Sequence, residues 1–104
     1  MAGLGKLLKQ AHKMQEDMQR IQEELARREV EGSAGGGAVK AVAKCDGSVV
    51  SIKIDPKVVD PKDVEMLEDL VLGAVTNALE IAKKTQEAEM GKVTAGMNIP
   101  GLGM

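Results

Sequence analysis

Few residues in this chain carry reactive chemistry, and most of them stand alone. His12 is the single histidine, and its own helical turn supplies no Cys, Asp or Glu at metal-ligand spacing. It reads as a solvated side chain. Cys45 is the only cysteine and has no adjacent base to make it a nucleophile, so it reads as a small buried or half-buried apolar group. Ser33, Ser48 and Ser51 fall in turns and strands without a nucleophile elbow. The acidic pairs Glu23-Glu24 and Glu68-Asp69 sit on exposed helical arcs, where solubility explains them better than acid-base catalysis. No active site assembles from these residues. The expectation is a non-enzymatic protein with no cofactor, no metal and no small-molecule substrate.

The remaining chemistry is positive charge. Lys6, Lys13, Arg20 and Arg27 recur every seven residues, at position c of a heptad whose a and d positions are Leu4, Leu7, Ala11, Met14, Met18, Ile21 and Leu25. Steps of three and four keep that apolar seam on one helix face, so the helix needs a packing partner. The basic line beside it suits phosphate contacts or plain solvation. In-helix pairs of Glu16 with Arg20 and Lys13 with Asp17 favour solvation when the spacing is read alone.

Composition narrows the classes. There is no Phe, Tyr or Trp, which argues against stacking single-stranded bases on aromatic rings. Net charge is -2 and the pI is near 5.4, so any phosphate contact must come from a local patch. A lone cysteine excludes an internal disulfide and a cysteine-rich zinc site, and fits a reducing cytoplasm. No apolar run approaches the roughly twenty residues of a membrane span, and the N-terminus does not read as a signal peptide. A length of 104 residues suits one small domain, for which dimerisation is a ready way to bury more surface.

Along the chain, the first helix is expected to run to about Arg28. Residues 29–34 turn extended, and Gly35-Gly36-Gly37 supplies a tight turn. Ala38 to Lys44 reads as a strand with Val39, Ala41, Ala43 and Cys45 on its core face. Asp46-Gly47 signals a two-residue hairpin, and Ser48 to Ile54 forms the third strand, with Val50, Ile52 and Ile54 on one apolar face. Asp55-Pro56 ends it. Asp60 caps a second helix, with Pro61 in its first turn, running to about Met90. That helix is apolar over too wide an arc for one surface, so it packs on the sheet and on something else. The fold class is α+β, with one domain over residues 1–93 and a flexible tail over 94–104.

Several strings in this order resemble the YbaB/EbfC family of bacterial nucleoid-associated proteins: Gly32-Ser33-Ala34-Gly35-Gly36-Gly37-Ala38-Val39-Lys40-Ala41-Val42, Ile54-Asp55-Pro56, Met66-Leu67-Glu68-Asp69-Leu70-Val71 with Asn77-Ala78, and Met90 with Thr94-Ala95-Gly96-Met97. The resemblance implies an α-β-β-β-α fold with a three-stranded antiparallel sheet between two long helices, and a tweezer-like homodimer. It implies cytoplasmic, nucleoid-located binding of double-stranded DNA, with bending, bridging or compaction and a possible effect on gene expression. It places DNA contacts broadly on the terminal helices, which makes Lys6, Lys9, Lys13, Arg20 and Arg27 on the first helix and Lys83 and Lys84 on the second the candidate DNA-binding residues. The alternative is a protein-interaction or chaperone-like helical module that does not bind DNA.

Overall fold

The computed structural model describes the backbone of residues 2–96 and the side chains of residues 3–93. The order is α1 (Ala2–Arg27), β1 (Glu29–Ala34), β2 (Val39–Lys44), β3 (Val49–Ile54), a 3-10 turn (Pro56–Val58) and α2 (Val64–Gly96). The strands form one antiparallel sheet in the order β1-β2-β3. The α-β-β-β-α order read from the sequence is therefore the observed one.

The turns follow from their residues. Gly35, Gly36 and Gly37 all take positive φ, at 62°, 68° and 94°, a run of left-handed positions that side chains with a β-carbon resist. The second turn differs from the expected two-residue hairpin. Lys44 N donates to Ser48 O at 2.8 Å, leaving Cys45, Asp46 and Gly47 in the loop. The Asp46 carboxylate accepts from both the Ser48 amide and its hydroxyl, and Gly47 supplies the left-handed residue (φ 96°) that a three-residue hairpin requires.

On β2, Val39, Ala41, Ala43 and Cys45 are buried, as their alternation predicts. On β3 the expected alternation slips at its first member. Val42 pairs with Ser51 but Ala43 pairs with Val49, so Val50 is the extra residue of a bulge. Val49, Ile52 and Ile54 then share the face of Val39, Ala41 and Ala43.

Helix α2 lies across β1 and β2 and scarcely touches β3. Its buried line is Ala74, Ala78 and Ala82, at four-residue steps, and these small side chains let helix and sheet approach closely. Asn77, on the same helix, accepts a hydrogen bond from the Ser33 amide at 3.0 Å, which ties α2 to the edge strand.

The start of α2 corrects one expectation. Asp60 accepts from Lys62 N at 2.9 Å and caps a preceding turn, whereas the helix begins at Val64 with Asp63 accepting from Met66 N at 3.2 Å. Both aspartates are competent caps, and the three-residue difference is decided by the turn at Pro61. The end of α2 corrects another: the helix runs through Gly91 to Gly96 instead of stopping near Met90. Val93 packs with Met90 and Val30 around Ile21, Leu25 and Cys45, so tertiary burial carries the helix past a weak helix former. Residues 97–104 of the expected tail lie outside the described residues.

That cluster also shows what the α1 seam packs on. Ile21 (8% exposed) and Leu25 (3%) are buried against the chain's own α2, whereas Leu4 and Leu7 are each 58% exposed. Helix α1 therefore projects as an arm from a small body, and the longest dimension is 74 Å against 27 and 16 Å. The expected Glu16–Arg20 and Lys13–Asp17 pairs do not form. Arg20 instead pairs with Asp17 at 3.2 Å, one step closer along the helix.

Candidate nucleic-acid interface

The arm is where the sequence-predicted cations gather. Lys6, Lys9, Lys13, Arg20 and Arg27 are all exposed on α1, and one continuous helix (Ala2–Arg27) keeps the seven-residue line straight. Their surroundings differ along its length. All 16 acidic residues of the chain lie at or beyond Glu16, so the projecting half of α1 that bears Lys6, Lys9 and Lys13 carries no carboxylate. None of the three enters an ion pair among the described residues. The first turn of α1 holds no acid, leaving the positive end of the helix dipole uncompensated at the tip.

Toward the body the charge is balanced. A cleft of about 580 Å³ opens where α1 and α2 diverge; Lys13, the innermost of the three unpaired lysines, reaches it, and Arg20 and Lys92 share it with Asp17, Glu24 and Glu89. Glu89 accepts from Lys92 at 3.1 Å and from Arg28 at 3.4 Å. The Lys92 hydrogen bond, followed by the charges of Lys92 and Arg28, holds the Glu89 carboxyl below the ordinary glutamate value. Arg27 shares its stretch of helix with Glu23 and Glu24. Lys83 and Lys84 are exposed on α2 and do not line this cleft. Sequence reasoning missed Lys92, because it placed residue 92 beyond the helix end; a helix continued past Gly91 would have set it one turn after Glu89.

What this arrangement offers is a row of exposed ammonium and guanidinium groups on one helix, which suits contact with an extended anion. His12 is exposed and Cys45 is buried in the cluster at the base of α1. Among the described residues no group of three His, Cys, Asp or Glu side chains could hold a metal ion. No described helix is long and apolar enough to cross a membrane.

The chain is similar to known proteins over nearly its whole length. A nucleoid-associated protein of Pelotomaculum thermopropionicum is 52% identical over 99 residues, covering 95% of this chain and 94% of that protein. One of Caldanaerobacter subterraneus subsp. tengcongensis is 54% identical over 99 residues, covering 95% and 89%. The crystal structure of an uncharacterized protein from Helicobacter pylori shares the fold with a TM-score of 0.64 at 16% identity, over 85% of this chain and 98% of that one. The family profile described as the YbaB/EbfC DNA-binding family matches residues 1–97. This chain belongs to the YbaB/EbfC DNA-binding family.

Proposed function

We propose that the chain acts as a homodimeric nucleoid-associated protein that grips double-stranded DNA between its projecting α1 arms through phosphate contacts, bending, bridging or compacting it. The observation that carries this reading is the distribution of charge on the arm. Lys6, Lys9 and Lys13 stand unpaired on the half of α1 that leaves the body, while an acidic remainder repels the duplex and leaves the arm as the favoured point of contact. Lysines in such a row meet phosphates and carry little base readout. Family membership and the names of the relatives support DNA as the partner and the bacterial nucleoid, in the cytoplasm, as the place.

The body supports the dimer. Because α2 covers only β1 and β2, the inner face of β3 is open, with Val49 and Ile52 each 43% exposed. Beside it, the flank of α2 presents Leu67, Val71, Leu72 and Val75 around a shallow apolar groove of about 460 Å³, and Leu72 is 66% exposed. Exposed apolar surface of this kind on both α2 and β3 marks an interface rather than a free face, and two copies related by a two-fold axis bury it reciprocally.

The test is a salt titration of binding to duplexes of unrelated sequence, run beside a measurement of mass in solution. With three arm lysines on each of two protomers, log affinity falls against log salt with a slope of about -5, and the unrelated duplexes bind alike. Affinity insensitive to salt, or a monomer that binds as tightly as the dimer, overturns the reading. A second reading, a protein-interaction or chaperone-like helical module, draws on the exposed Leu4, Leu7 and Leu8 of the seam. Recovery of one stoichiometric protein partner with no DNA retained at physiological salt favours it.

A further inference from the structure

The sheet has a second face, turned away from α2. Alternation places Lys40, Val42 and Lys44 of β2 on it, opposite the buried Val39, Ala41 and Ala43. The register sets Lys40 directly across from Lys53 on one side and from Ser33 on the other. Two like charges in directly opposed positions destabilise a sheet, and both lysines are exposed without an ion pair among the described residues.

The rest of this face shows how unusual that row is. Lys44 lies across from Glu29, a pairing of opposite charge, and Glu31 lies across from Val42. The carboxylates thus lie on β1, and Glu31 is the diagonal neighbour of Lys40 but forms no ion pair with it. Asp55, just beyond Lys53, turns its carboxylate to the Lys57 amide at 3.0 Å to cap the 3-10 turn. One row across three strands therefore offers a hydroxyl and two ammonium groups, with strands roughly 4.8 Å apart, and no carboxylate within it.

We infer that this row is a second phosphate-binding surface, which holds the backbone of a second DNA duplex while the α1 arms hold the first. The charge is complementary to a polyanion, and the row lies on the opposite side of the sheet from the α2 and β3 surface that joins the protomers. The inference rests on the reading that the arms bind DNA. It gives bridging a physical basis in two separate basic surfaces on one molecule.

The experiment uses the full chain, with one duplex immobilised and saturated with protein and a second, labelled duplex offered at several salt concentrations. The variants are Lys40→Gln with Lys53→Gln, Lys53→Glu alone, and Lys6→Gln, Lys9→Gln and Lys13→Gln together. The sheet double variant is expected to keep its affinity for the first duplex. It loses capture of the second, and the salt slope of that capture falls by about 0.9 for each phosphate that no longer meets a lysine. Lys53→Glu replaces a repulsive cross-strand pair by an attractive one, so its melting temperature rises while second-duplex capture falls; loss of folding cannot mimic that combination. The arm variant binds the first duplex about ten- to a hundredfold more weakly, which tests the arms independently. Second-duplex capture that survives in the sheet double variant, absence of capture by a wild-type protein that binds one duplex, or equal weakening of both duplexes by the sheet variant each overturns the inference while leaving the arm reading in place.

Discussion

Gly32 of β1 and Ala78 of α2 meet backbone to backbone. A β-carbon added to Gly32 would lie 2.6 Å from Ala78 Cα and 2.7 Å from Ala74 O, and neither atom is the movable end of a side chain. Gly32→Ala must push α2 off the sheet and disturb the Asn77 hydrogen bond to the next residue. The expected cost is about 3 kcal/mol, the upper part of the range for overpacking. Gly36→Ala is the control: its φ is 68° with no atom within 4 Å of the added carbon, so only left-handed strain applies, about 1 kcal/mol. Urea unfolding of the two variants separates packing from backbone strain.

The α1 seam divides into a packed base and a free arm, and stability should divide with it. Leu25→Ala removes a side chain that is 3% exposed in the cluster shared with Cys45 and Val93, and should cost about 2–5 kcal/mol. Leu4→Ala changes an exposed residue and should stay within about 0.5 kcal/mol. Equal losses in denaturant would mean that the arm is packed along its whole length.

How much of this was legible in the sequence depends on whether a residue's neighbours are local. The burial of Val39, Ala41, Ala43 and Cys45 follows from alternation alone, and the Gly35-Gly36-Gly37 turn from the conformations only glycine takes readily. The bulge at Val50 does not, because Val49 and Val50 are chemically equivalent and only pairing to Ala43 selects between them. The extension of α2 past Met90 depends on Val93 finding Ile21 and Leu25, residues that are distant in sequence. The basic line on α1 was visible as spacing. Its division into an unpaired tip and a balanced base needed the fold, which shows which half projects.

Glu89 gives the arm's junction a dependence on pH. Its carboxyl is held below the ordinary glutamate value, first by the Lys92 hydrogen bond and then by the charges of Lys92 and Arg28. For a carboxylate depressed in the folded state, the stabilisation is fully present above the unfolded value of about 4.3 and is lost as pH falls through the folded value. Wild type should therefore be the more stable near neutrality, and its melting curve should converge on that of Glu89→Gln as the pH drops below about 4. A difference between the two proteins that stays constant across that range would show that the Glu89 charge contributes nothing.

Dimerisation through the open corner of β3 and α2 predicts a selective effect of charge. Ile52→Glu places a carboxylate at a position 43% exposed in the single chain, so the protomer should fold with little change. Burial of that charge against a partner is costly, and the dissociation constant should rise at least about tenfold, equivalent to 1.4 kcal/mol. Sedimentation equilibrium reads the dimer and circular dichroism reads the fold. Loss of both together would instead place Ile52 in the protomer's own core.

The gradient of charge along α1 makes the candidate DNA contacts unequal. Lys6, Lys9 and Lys13 enter no ion pair among the described residues, whereas Arg20 is already paired with Asp17 at 3.2 Å and Arg27 lies among Glu23 and Glu24. A phosphate meeting Arg20 must compete with that aspartate, so part of the attraction is spent before DNA arrives. Changing Lys6, Lys9 and Lys13 together to Gln should flatten the salt slope by about 0.9 for each phosphate left unneutralised and weaken binding by one to two orders of magnitude, on the order of 1.4–2.8 kcal/mol. Changing Arg20 and Arg27 together should weaken it by much less, and Lys83 with Lys84, away from the arm's cleft, by no more than the arginines. Fluorescence anisotropy with a short duplex at several salt concentrations ranks the three sets. If the arginine pair carries the larger share, the duplex sits at the base of the arm, in the cleft with Lys92, and the tip is only solvated.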